Sequence, residues 1–351
     1  MPEASTLIKE IFKTAYEKGA SDVHLVVGSP PVIRIDGELY DIEDKKVLSA
    51  KDMEQIAYSI ISEEQKERFI ANKDLDLGYE GADGVRFRVN LHYEKGNIGM
   101  VARLISGKIP TLDDIQMEES VRALLRLKQG LILITGPTGC GKSTTLAAMI
   151  NFLNQNYCYN IITLEDPVEY IFTPDQSIII QRQLGNDMVS FAEGLKHCLR
   201  QDPNVIMVGE MRDLETIATT ITLAETGHLV LATLHTYNAA QTIDRIIDIF
   251  PPYQQNQVRA QLSSILVGVF SQRLLPKIGG GRVAAREIMI NTTAIANLIR
   301  ENKVAQIKTV IETGAKEGMF TMDQNLVKLV KEQAVEKEIA KIYMNNPELI
   351  K

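Results

Sequence analysis

The stretch LILITGPTGCGKSTT, residues 131–145, sets an apolar run directly ahead of a glycine-rich turn and a helix start. Within it Gly136-Pro137-Thr138-Gly139-Cys140-Gly141-Lys142-Ser143 fits G-x-x-x-x-G-K-[ST], and Thr144 continues into the helix. The glycines allow backbone N–H groups to turn inward around a phosphate, and the helix N-terminus adds a partial positive charge. Lys142 is expected to reach the β/γ oxygens of a nucleotide and the Ser143 hydroxyl to ligate Mg²⁺. A glycine-rich turn that merely precedes a helix is the competing reading. The strand before it and the helix after it weigh against that.

Working outward towards the C-terminus, strands and helices alternate. Apolar runs start at Leu131, Ile161, Val205 and Leu229, with helical patterns from Lys142, over Ser190 to Gln201, and from Asp213. That order predicts βαβ units and a mostly parallel sheet, with ligands at the carboxyl ends of its strands. Two of those ends carry acids. Ile161 to Leu164 ends in Glu165-Asp166, with Glu169 one turn further on, and Val205 to Gly209 ends in Glu210. Gly209 stands where generic P-loop proteins often carry a metal-binding Asp, so Mg²⁺ is expected to rest on Ser143, phosphate oxygens and water, with Glu210 helping through a water. Either Glu210 or Glu165 could polarise the attacking water. Acids that only cap a following helix are the alternative for all of them.

His228 and His235 bracket the run LVLATL. Their spacing of seven puts them on opposite faces of an ideal strand, and only His235 lies at the carboxyl end, where it could donate to phosphate or to Glu210. A structural histidine is the competing reading for both. After Phe250-Pro251-Pro252 the chain reads mainly helical, interrupted by Gly279-Gly280-Gly281 and a strand candidate at Val283 to Ile290.

Towards the N-terminus the pattern changes to a compact α+β unit. A helix is expected over Ser5 to Lys18, short strands over Val23 to Val27 and Val32 to Ile35, one helix over Ala50 to Ile70, and a strand pair over Val85 to His92 and Gly99 to Ile105. Arg86 and Arg88 share a face by period two, with Arg103 on the neighbouring strand, a geometry suited to meeting a phosphate. A solvated charged sheet face is the bland alternative. The expected domains are 1–107, a linker over 108–118, and 119–351.

Composition limits what else the chain can be. Its 351 residues, 45% of them hydrophobic, suffice for two packed cores. A net charge of −7 gives no global field towards nucleic acid. Three cysteines without a C-x-x-C pair point away from a disulfide framework or thiolate zinc site. With no signal-like N-terminus and no apolar run of membrane-spanning length, the expectation is a cytoplasmic protein without a transmembrane segment.

GPTGCGKSTT, IITLEDPVEY, NVIMVGEMRD and AETGHLVLATLHT resemble, in order and spacing, the Walker A, Asp box, Walker B and His box of the type II secretion and type IV pilus ATPases. That family's Walker B likewise has Gly before Glu. SDVHL, PPVIRIDGEL, RFRVN, the stretch from IIDIFPPYQQNQ to QRLLP, and GMFTMDQNL resemble its retraction motors over nearly the whole chain. The resemblance implies an α/β architecture, with an N-terminal PAS-like α+β domain and a RecA-like P-loop ATPase domain ending in helices. It also implies ATP and Mg²⁺ as ligands, a homohexameric ring, and Arg86, Arg88 and Arg103 closing a nucleotide held between the domains. The implied output is type IV pilus retraction through an inner-membrane platform protein, with the ring peripheral at the cytoplasmic face of the inner membrane. A low-turnover nucleotide-gated scaffold and an extension or secretion assembly ATPase are the alternatives. Two positions depart from the retraction pattern. Ala296 stands where an AIRNLIRE helix has Arg, and Cys140 replaces the usual Ser, a change that a backbone-mediated cradle should tolerate, with the reactivity of a thiol at a helix N-terminus left open.

Overall fold

The computed structural model describes residues 2–35, 37–81, 84–105 and 108–350. They form two compact units, Met1–Lys108 with Pro167–Ile171, and Ile109–Asp166 with Phe172–Lys351.

In the first unit, helix α1 (Pro2–Glu17) is followed by strands β1 (Asp22–Leu25), β2 (Val32–Ile35) and β3 (Glu38–Asp41), then α2 (Ala50–Ser59), α3 (Glu63–Asn72), β4 (Asp74–Glu80), β5 (Arg86–Glu94) and β6 (Asn97–Ile105). The six strands make one antiparallel sheet in the order β3-β2-β1-β6-β5-β4. The apolar stripe of α1 supplies Ile8, Ile11 and Phe12 to the core, and the Phe12 and Phe87 rings stack with centroids 4.0 Å apart. The single helix expected over Ala50 to Ile70 is two. Ser62 accepts from the Gln65 N–H while the Gln65 side chain accepts from the Ser62 N–H, and this reciprocal cap starts a new helix after Ile60. Strand β4 was not anticipated, although Leu75 and Leu77 alternate inward along it.

The second unit runs α4 (Glu119–Leu124), β7 (Gly130–Thr135), α5 (Lys142–Asn156), β8 (Asn160–Glu165), β9 (Ile178–Gln183), α6 (Phe191–Cys198), β10 (Val205–Val208), α7 (Leu214–Glu225) and β11 (Leu229–Leu234). It continues with α8 (Ala239–Asp248), α9 (Pro252–Ile265), β12 (Leu266–Pro276), β13 (Arg282–Ile290), α10 (Thr293–Arg300), α11 (Ile307–Thr313), α12 (Met322–Lys331) and α13 (Lys337–Ile342). Seven strands lie in the order β13-β12-β7-β11-β10-β8-β9, parallel except for the antiparallel β12–β13 pair. Strands β7, β10 and β11 are buried throughout, as expected where helices cover both faces of a parallel sheet.

The run LVGVFSQRLLP, read as part of a mainly helical tail, is the eleven-residue strand β12 beside β7, and Gly279-Gly280-Gly281 falls between β12 and β13. Strand β9 was likewise not anticipated. In the segment expected as a linker, Leu112 and Met117 are buried, and the buried Arg286 guanidinium donates to the carbonyls of Ile115 at 2.7 Å and Gln116 at 3.1 Å. Among the described residues no helix is long and apolar enough to cross a membrane.

Candidate nucleotide-binding and catalytic site

Strand β7 ends at Thr135, and the loop Gly136 to Gly141 turns into α5 with Gly139 at φ 78° and Gly141 at φ 87°. Both are left-handed conformations that side chains resist, so the glycine positions follow from the turn itself. Thr138 and Gly139 are exposed at the tip, and Ser143 is exposed on the first turn of the helix. Pro137 and Thr144 are half-buried to either side. The Lys142 ammonium is held by the loop's own carbonyls, 2.8 Å from Gly136 O and 3.1 Å from Pro137 O. It therefore stands over the helix N-terminus, where an anion would compete for it.

The surroundings of Cys140 do not favour a reactive thiol. The residue is 3% exposed, and burial pushes its thiol above the ordinary value despite the nearby Lys142 charge. Its carbonyl accepts from Gln272 Nε2 at 2.8 Å.

Strand order separates the acids that sequence left equivalent. Next to β7 stands β11, then β10, then β8. With strands ~4.8 Å apart, the end of β10 lies roughly 10 Å from that of β7, and the end of β8 roughly 14 Å. His235 follows the neighbouring strand directly, and Glu210 follows the next. Their side chains meet, with His235 Nε2 3.4 Å from Glu210 Oε2, while Arg212 Nε contacts the other carboxylate oxygen. The backbone carrying Glu210 is pinned on both sides. Gly209 N–H donates to Leu164 O at 2.7 Å, Met211 N–H donates to Thr233 O at 3.1 Å, and the Thr233 hydroxyl donates to Gly209 O.

Glu165 sits differently. It is 8% exposed and accepts from the Thr163 hydroxyl at 2.7 Å and from Gln181 Nε2 at 3.1 Å. The structure gives it the environment of a buried brace between β8 and β9. Asp166 follows it, half-buried.

Gly209 replaces a metal-binding Asp for a spatial reason. A Cβ there would lie 3.0 Å from Leu164 O and 3.4 Å from Glu165 Cα. Among the described residues no group of three or more His, Cys, Asp or Glu is placed to hold a metal ion. The donor set fits Mg²⁺ only as an ion brought by phosphate oxygens and completed by the Ser143 hydroxyl and water.

The remaining candidates are His228 and residues of the first unit. His228 precedes β11 at the end opposite His235. Its carbonyl accepts from the Gly130 N–H at the start of β7, and its Nδ1 is 3.0 Å from Leu223 O and 3.2 Å from the Thr226 hydroxyl. A whole strand length separates it from the phosphate loop, and it ties α7 to β11. Within the first unit, Arg88 pairs with Glu169 at 3.5 Å, and Arg86 pairs with Glu80 at 3.8 Å and donates to Val168 O at 3.4 Å. Arg103 pairs with Asp22 at 2.8 Å. Sequence reasoning did not pick out Arg212, Gln181 or Gln272. Arg212 lies inside the quoted GEMRD run, whereas the other two stand on the unanticipated strands β9 and β12.

The family described as type II/IV secretion system protein matches residues 3–350. The chain belongs to that family. Within it the chain is 45% identical to the type IV pilus retraction ATPase PilT of Pseudomonas aeruginosa, over 97% of this chain and 99% of that protein. A twitching motility protein of Neisseria gonorrhoeae is 42% identical over 91% of this chain and 85% of its own length. Among solved structures, the pilus retraction motor PilT with bound ADP superposes with a TM-score of 0.90 at 47% identity, covering 97% of this chain and 98% of that one. The chain is thus a PilT-like homologue within the secretion ATPase family, and its α/β architecture is that of PilT.

Proposed function

We propose that this chain is a Mg²⁺-dependent ATPase that works as a homohexameric ring to drive type IV pilus retraction. The observation that carries the reading is the strand order, which sets His235 at the end of β11 beside β7 and Glu210 after β10, one strand further out, so that the pair stands near the Lys142–Ser143 loop. The ADP bound in the PilT crystal structure supports a nucleotide as the ligand.

In this reading the backbone N–H groups from Thr138 to Thr144 hold the phosphates, and Lys142 exchanges the Gly136 and Pro137 carbonyls for β/γ oxygens. Ser143 would hold Mg²⁺, which when bound neutralises charge on the phosphate oxygens. Glu210 orients a water in line with the γ-phosphorus and takes its proton as the new P–O bond forms and the bond to the bridging oxygen breaks. His235 and Arg212 keep the Glu210 carboxylate aimed, and Glu165 braces the end of β8 with Gln181. Arg86, Arg88 and Arg103, with Asp166 and Glu169, are the further residues this reading assigns to the nucleotide. Loss of the γ-phosphate then drives the motor's conformational change, and the ring passes that work to an inner-membrane pilus platform protein. The ring is peripheral at the cytoplasmic face.

The test is restoration of twitching in a type IV piliated bacterium lacking its own retraction ATPase. The wild-type chain restores movement and Lys142→Ala does not. Cells that remain piliated and immobile while carrying intact, assembled protein would overturn the retraction reading.

A further inference from the structure

A phosphate loop binds well only if its amides are held in the binding geometry before the ligand arrives. We infer that Gln272 is the positioning residue that does this, an inference that rests on the nucleotide reading above. Gln272 lies on β12, which pairs with β7 so that Ser271 faces Thr135, and the Thr135 hydroxyl donates to Ser271 Oγ at 2.9 Å. The next residue, Gln272, therefore stands beside the start of the loop. Its side chain is buried, at 2% exposure, and both amide functions are used.

The orientation of that amide is forced. The Cys140 carbonyl can only accept, so Nε2 faces it at 2.8 Å, and Oε1 then accepts from the Thr145 hydroxyl at 3.0 Å. One side chain thus bridges from the last loop residue before Gly141 to the first turn of α5, spanning Gly141 to Thr144, whose N–H groups face the phosphate in the proposed site. The Gln272 backbone passes close to the other end. A Cβ on Gly136 would lie 2.3 Å from Gln272 O, so this glycine is required by the close approach of β12. The Gln272 side chain thus bonds the loop at its exit while its backbone packs closely against the entry, and the tip remains exposed.

A polar residue that merely fills the core would affect stability alone. A positioning residue affects ligand affinity and the local opening of the loop. The experiment uses the full-length protein and four variants, Gln272→Met, which keeps the volume and removes both bonds, Thr145→Val, Thr145→Ser and the Gln272→Met/Thr145→Val double. Two quantities are read, the Kd for MgADP and the hydrogen exchange of the 136–145 segment without nucleotide.

Gln272→Met is expected to raise the Kd about tenfold, the scale of two lost hydrogen bonds, and to speed loop exchange by a similar factor. Thr145→Val shifts both in the same direction by less, Thr145→Ser restores wild-type values, and the double variant is no weaker than Gln272→Met. A lowered melting temperature with unchanged Kd and unchanged loop exchange would overturn the inference. Should the wild type bind no MgADP, the nucleotide reading fails, and the exchange of the free loop still decides the role of Gln272.

Discussion

Grafting the usual Walker B aspartate onto this protein should damage it. Gly209 N–H is bonded to Leu164 O at 2.7 Å, so the backbones of β8 and β10 are close at this point. A Cβ on residue 209 would meet that same oxygen at 3.0 Å, Glu165 Cα at 3.4 Å and Asp166 N at 3.9 Å. All the crowding atoms belong to backbone, which cannot swing away as a side chain can. Gly209→Ala is expected to cost about 1–3 kcal/mol as overpacking. Gly209→Asp adds a carboxylate held against a carbonyl oxygen and beside the buried Glu165, for a total of about 3 kcal/mol or more. At ~2–4 °C per kcal/mol for a unit of this size, alanine should lower the melting temperature by a few degrees and aspartate by roughly 10 °C. Because Glu210 is the next residue, turnover should fall in both variants without any gain in Mg²⁺ affinity. Calorimetric melting and a Mg²⁺ titration of ATP hydrolysis check this. A Gly209→Asp protein that melts with the wild type and saturates at lower Mg²⁺ would refute the steric argument.

Alkylation at pH 7–8 should mark the exposed Cys158 first and spare Cys140 and Cys198, whose thiols burial holds above the ordinary value, with their labelling rising only as the pH is taken further up. Peptide mass spectrometry gives the order, and early labelling of Cys140 would contradict its burial. His228→Ala should lower stability by about 1 kcal/mol through its lost ring contacts while leaving turnover within a few-fold, whereas His235→Ala should lower turnover at least tenfold. Ser143→Ala should raise the Mg²⁺ concentration needed for half-maximal hydrolysis while ADP binding without metal stays within a few-fold, and equal Mg²⁺ dependence in both proteins would remove Ser143 from the metal.

The phosphate loop was legible because its motif carries its own context, a strand before and a helix after, and each glycine answers a local backbone need. The choice between Glu165 and Glu210 was not legible, since it depends on strand order. Strand β8 comes sooner after the loop in the chain but stands one strand further from β7 than β10 does. Strand β12 was hidden for another reason. Helix α9 passes from Ile265 into Leu266 with no breaker between them, and an apolar run such as LVGVF has no period that separates strand from buried helix. That misreading concealed Gln272. The break at Ser62, by contrast, is written in the sequence as Ser-x-x-Gln, although the apolar pattern runs on across it.

Steady-state ATP hydrolysis by the purified protein with Mg²⁺, beside Lys142→Ala and Glu210→Gln, tests the central claim most directly, with nucleotide binding and oligomer mass recorded on the same samples. The account predicts turnover by the wild-type ring, loss of both binding and turnover in Lys142→Ala, and ATP binding without turnover in Glu210→Gln. Turnover by Glu210→Gln equal to that of the wild type, with assembly intact in both, would contradict it.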